Sequence, residues 1–125
     1  MKVSVRKPPR EFAVGTTGVR LRDCGTIALE PDEQVTFVTG AGGEVDVVRK
    51  AWGFYAMPSL NGRLARFGMR PVLVQGHEHK FFLLLVERGH EPEFDQYLAE
   101  QCMTIVQWLD TDAALERLAR PVHGS

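Results

Sequence analysis

The sequence predicts an α+β fold: a single small domain with a mainly antiparallel sheet of about 5–7 strands and two or three helices, the longest near residues 91–102. Three observations carry this reading. Several short stretches alternate apolar and polar residues, or concentrate β-branched and aromatic ones, between turn-forming clusters. Two connectors, Gly40–Gly43 and Gly76–His79, are short enough to make hairpins of the stretches they join. The helical signatures gather in the second half and do not alternate regularly with strands, which argues against a doubly wound sheet.

Residues 1–12 carry Pro8-Pro9 and four cations and read as a flexible basic arm or an edge segment. Residues 13–120 are expected to form the domain, with 121–125 a frayed tail. Val19, Leu21 and Asp23 alternate with Arg20 and Arg22 as in a half-buried strand, which Thr26–Leu29 continues after a bend at Gly25. Pro31-Asp32-Glu33 is a turn. Gln34–Thr39 is rich in β-branched residues, and Glu44–Arg49 alternates, so the pair reads as a hairpin about Gly40–Gly43. Trp52–Met57 is a further aromatic strand ended by Pro58.

Ser59 is placed to cap a two-turn helix over Leu60–Phe67, with Leu60, Leu64 and Phe67 on one face and Gly68 at the left-handed exit. Pro71–Gln75 and Lys80–Glu87 are strands. The run Phe81–Val86 lacks alternation, which predicts a central strand covered on both faces. Pro92 with Glu91, Glu93 and Asp95 marks a helix start. Met103–Leu109 fits helix or strand, and its Thr, Ile, Val and Trp favour strand. Asp110-Thr111-Asp112 caps a last helix over Ala113–Ala119.

Composition bounds the function. At 125 residues and 44% apolar content, one domain can build a core without staples. The longest apolar run, Phe81–Val86, is far too short for a membrane helix, and the basic N-terminus lacks the apolar stretch of a secretory leader. Cys24 and Cys102 then read as reduced thiols, and the chain as cytoplasmic. Net charge is −1, but residues 1–22 sum to +5 and residues 87–112 to −6. That partition suits docking between copies and predicts a homodimer. A pI near 6.4 without an accompanying motif argues against nucleic acid.

Candidate chemistry centres on Gly40–Gly68. The glycines there precede a strand, so the context of a dinucleotide fingerprint is missing. Trp52 and Tyr55 could stack on a sugar or base; Ser59 and Asn61 could donate hydrogen bonds; Arg63 and Arg66 could form a fork for phosphate or carboxylate. These six residues are the expected ligand site, for a small anionic or sugar-like molecule. No cofactor and no metal are expected. His77 and His79 form a pair without a clear third ligand, and a solvated hairpin tip accounts for them. Glu44 and Asp46 share a strand face, where a salt bridge to Arg63 or Arg66 is favoured over acid-base work. Neither cysteine sits in a nucleophile signature. The reading is a non-catalytic binding or accessory protein; the alternatives are a homo-oligomeric interaction subunit and, behind it, a small metal-dependent or acid-base enzyme.

Overall fold

The computed structural model describes residues 1–15 and 17–120, so the expected frayed tail, with His123, lies outside the described residues. Among the described residues, eight strands form three antiparallel sheets, accompanied by three helices. Strands β1 (Lys2–Val14) and β2 (Val19–Ala28) make a long hairpin. Strands β3 (Gln34–Val38), β4 (Glu44–Lys50) and β5 (Gly53–Tyr55) form the second sheet. Strands β6 (Met69–Gln75), β7 (Phe81–Glu87) and β8 (Thr104–Trp108) form the third, in the order β7-β6-β8. Helices α1 (Arg63–Arg66), α2 (Glu91–Gln101) and α3 (Asp112–Ala119) complete the elements of the described residues.

The expected single sheet is therefore three. Strand pairing stops at the turn after Ala28 and again at the segment 56–68, where the chain leaves extended geometry. The segment expected to be a flexible arm is most of β1. Its Pro8-Pro9 fall inside the register break between Val5 and Arg10, where the missing N–H groups interrupt no ladder. Opposite the break, Gly25 has φ 141, and a Cβ there would come within 2.0 Å of the Ser4 carbonyl oxygen.

The core lies on one face of the third sheet. Val72, Val74 and Val86 pack with Leu98 of α2, and Leu84, Phe94, Met103 and Trp108 close around them. Phe94 meets Trp108 edge to face at 5.9 Å between centroids, a favoured aromatic geometry. The ambiguous stretch 103–109 supplies β8.

Strand β7 departs from expectation. It is an edge strand, with Phe81, Phe82 and Leu83 exposed, and β6 is the central strand. Pro71 disguises β6, since a proline usually demotes a strand to an edge. Here the β8 ladder begins only at Val72, and the Pro71 carbonyl still accepts from the Leu109 amide at 2.9 Å.

Helix α1 is also shorter than expected, one turn in place of two. Its Leu64 is wholly buried against β6, while Ser59–Gly62 is occupied by a turn. Gly68 leaves the helix at φ 83, the left-handed exit expected there.

The accessible surface is 8989 Å² for 14.0 kDa. A folded monomer of this mass exposes about 6,700 Å². Counting residues 121–125 at the full unfolded value of about 160 Å² each removes at most about 800 Å² of the difference. Roughly 1,500 Å² of excess surface remains on the rest of the chain.

Candidate functional site

Strand alternation decides which side chains meet. In the β3–β4 hairpin Gln34 pairs with Val48 and Thr36 with Asp46, and on the next strand Tyr55 also pairs with Val48. Directly opposed residues share a face, so Gln34, Thr36, Asp46, Val48 and Tyr55 all point to one side of the second sheet. The segment from Pro58 to α1 lies over that side. Between them is an open cleft of about 320 Å³ lined by Gln34, Asp46, Val48, Tyr55, Ser59 and Arg63, with Pro58 at its wall.

The centre of the cleft is an ion pair. Asp46 is only 8% exposed. Its Oδ2 accepts from Arg63 Nε at 2.6 Å and its Oδ1 from the Thr36 hydroxyl at 2.7 Å. The Arg63 guanidinium also lies over the Phe67 ring, 4.4 Å from its centroid. The hydrogen bonds from Arg63 and Thr36 hold the Asp46 carboxyl below its ordinary range, and Asp46 in turn raises Arg63 further above its own. Both groups therefore stay charged at neutral pH. A carboxylate held this way is a weak base, so the pair positions polar donors and gives Asp46 little capacity for proton transfer.

The wall beside the pair is fixed by backbone bonds. Ser59 Oγ accepts from the Arg63 amide at 2.9 Å, and the Ser59 carbonyl accepts from Gly62 and Leu64. The Ser59 hydroxyl hydrogen is left for another acceptor. Tyr55 presents an exposed ring along the opposite wall.

The six residues expected as a site divide into two groups. Tyr55, Ser59 and Arg63 share the cleft. Trp52 is on the β4–β5 turn, 71% exposed, and is not part of the lining. Asn61 turns away and donates to Asp112 Oδ1 at 2.8 Å, at a separate shallow pocket beside α3. Arg66 is exposed and is not among the residues lining the cleft. The expected bridge from Asp46 to Arg63 is present. Gln34 and Val48 were missed; the alternation of the β3–β4 hairpin was the signal that could have placed them beside Asp46.

Two further clusters lie outside the cleft. Arg70 at the start of β6 donates to Asp110 at 2.7 Å and to Glu91 at 3.2 Å and stacks on Trp108 at 4.0 Å, tying β6, β8 and the start of α2 together. The hydrogen bond from Arg70 leaves Asp110 Oδ1 buried without a partner among the described residues. Glu91 is held below its ordinary pKa, first by its own amide, then by the Gly89 amide and Arg70. His77 and His79 sit in a 3-10 turn between β6 and β7. No group of three or more His, Cys, Asp or Glu side chains gathers at metal-holding distance among the described residues. No helix among them is long and apolar enough to cross a membrane.

Comparison of the chain with protein-family models, curated proteins and solved structures returns no match.

Proposed function

We propose that this chain is a non-catalytic binding or accessory protein whose cleft between the second sheet and α1 takes a small sugar-like ligand. The observation that carries the reading is the meeting of Tyr55, Ser59, Arg63, Gln34 and Asp46 around one opening. Asp46 already balances the charge of Arg63. A hard anion such as sulfate would have to compete with a buried carboxylate for the same guanidinium. A neutral polyol meets no such competition. It can accept from the free Arg63 and Gln34 N–H groups, exchange hydrogen bonds with the Ser59 hydroxyl, and lay its apolar face on Tyr55. An anionic substituent on the sugar would sit outside the pair, toward solvent.

The test is a thermal-shift panel of neutral monosaccharides, sugar phosphates and sulfate, followed by calorimetric titration of any hit. A saturating ligand at a hundred times Kd stabilises by about 2.7 kcal/mol, a shift of several degrees. Binding by a sugar, abolished by Tyr55→Ala or Gln34→Ala and absent for sulfate, is the expected result. A panel without a shift, or binding that survives both substitutions, refutes the reading.

A second reading, a homo-oligomeric interaction subunit, is favoured by the excess accessible surface and by exposed apolar side chains such as Phe37, Phe81, Phe82 and Leu83.

A further inference from the structure

Resting on that second reading, we infer that the open edge of β7 is the interface, and that it pairs antiparallel with β7 of a second copy in a register centred on Leu83. Among the described residues, β6 is the one strand paired with β7. That ladder shows which backbone groups are open. The Gly76 amide donates to the Lys80 carbonyl at 2.8 Å, and the Arg88 amide to the Gly68 carbonyl at 2.7 Å. Even-numbered residues of this stretch therefore turn their backbone toward β6. Phe81, Leu83 and Leu85 turn their N–H and C=O groups the other way, off the edge of the sheet.

The side chains along this edge are apolar on both faces. Phe81, Leu83 and Leu85 lie on the face away from the core, and Phe82 and Leu84 on the face shared with Val72 and Val74. Phe81, Phe82 and Leu83 are 53%, 42% and 46% exposed. A row of open amides and carbonyls between apolar side chains is the complement of another strand, and of neither a helix nor a small ligand.

Symmetry and charge identify that strand. A two-fold axis normal to the sheet keeps each face continuous, so odd-numbered residues of one copy meet odd-numbered residues of the other. Centred on Leu83, the register sets Leu83 against its own equivalent, Phe81 against Leu85 and Phe82 against Leu84. Every residue from Phe81 to Leu85 then meets an apolar one. Just past the ladder, Arg88 comes opposite Glu78. Both are exposed, and neither joins an ion pair among the described residues. Sliding the second strand by two residues one way sets Lys80 against Arg88 and Phe81 against Glu87. Sliding it the other way sets Leu85 against His79 and Val86 against Glu78. The centred register alone matches apolar to apolar and cation to anion, and the two-fold repeats each unlike pair. It also joins two three-stranded sheets into one and moves β7 to the middle, the place its unbroken apolar run suits.

The experiment is light scattering on size-fractionated full-length protein at tens of micromolar, for wild type, Leu83→Lys, Arg88→Glu and Glu78→Arg/Arg88→Glu. Far-ultraviolet circular dichroism checks the folding of each variant; all three positions are exposed in the single chain. A wild-type dimer is expected, with Leu83→Lys at the 14.0 kDa monomer mass because two lysines would meet at the axis. Arg88→Glu should raise the dimer dissociation constant several-fold, and adding Glu78→Arg should restore it. A wild-type monomer overturns both this pairing and the oligomer reading. A dimer that survives Leu83→Lys, or a wild-type species that keeps growing with concentration, overturns the β7 pairing and leaves the oligomer reading standing. An Arg88→Glu effect that is absent, or that Glu78→Arg does not reverse, overturns the register. Should Leu83→Lys lose its strand signal, the two charge variants decide, since neither position lies within a strand.

Discussion

Leu64→Ala is the sharpest test of how the cleft is held. A one-turn helix has no stability of its own, because the cost of nucleation is not repaid within four residues. What keeps α1 in place is Leu64, at 0% exposure against β6, together with the Ser59 hydroxyl oxygen, which accepts from the Arg63 amide. The substitution removes three buried carbons. Transfer alone is worth about 0.8 kcal/mol for each, or about 2.4 kcal/mol, and the cavity left behind raises the loss to about 3–4 kcal/mol. For a chain of this size that is a fall in Tm of roughly 10–15 °C. The assay is urea unfolding followed by circular dichroism, at a concentration where the assembly state of wild type and variant is the same. Because Arg63 and the Ser59 wall move with α1, affinity for any cleft ligand should fall as well. A loss under about 1 kcal/mol would refute the reasoning, since it would mean that the wall of the cleft is held by something other than this side chain.

Three further outcomes follow from the same geometry. The Asp46 carboxyl lies below its ordinary value in the folded chain, so the unfolded chain binds the proton more readily as pH falls. The stability this group contributes is present above the unfolded pKa near 3.9 and is lost as pH drops through the lower folded value; Asp46→Asn should flatten that part of a Tm–pH profile between pH 5 and 2, leaving the parts due to Asp23, Glu33 and Glu91. Arg70→Ala removes the partner of the largely buried Asp110 and should cost about 2–4 kcal/mol by urea unfolding, against a much smaller loss for Lys50→Ala at the exposed pair with Asp32. Cys102 leaves α2 at φ 55 in left-handed geometry, so Cys102→Gly should stabilise by about 0.5–1 kcal/mol, read as a rise in Tm, while the thiol titre of native protein drops from two to one.

What was legible in the sequence was what local chemistry dictates. The β3–β4 hairpin, the helix begun by Pro92 and the Thr111-capped final helix follow from residues within a few positions of each other, whereas the N-cap expected at Ser59 falls on Gly62, with Ser59 Oγ accepting from the Arg63 amide. Of the six residues expected together, three line one cleft. Tyr55, Ser59 and Arg63 meet because alternation and one tight turn bring them together. Trp52 and Arg66 were grouped with them on nearness in sequence alone: Trp52 falls on the β4–β5 turn, and Arg66 is exposed outside the cleft lining. Asn61 was beyond local reach, since its partner Asp112 is 51 positions later. Division into three sheets depends on pairings between distant segments, which alternation does not specify.

The misplacement of β7 bears directly on assembly. A strand that reads Phe-Phe-Leu-Leu-Leu-Val is suited to burial on both faces, and placing it at the centre of a sheet was a physical inference from that pattern. The single chain puts it at an edge, with Phe81, Phe82 and Leu83 exposed and no proline or inward charge within the run to blunt the open backbone. In this strand the sequence carries more apolar pattern than one copy of the chain buries. Edge strands of this kind are a liability in a monomer and a common means of joining two copies. If light scattering finds a dimer, hydrogen exchange at β7 becomes the next measurement, because protection of Phe81–Leu83 in the dimer would place this edge inside the assembly.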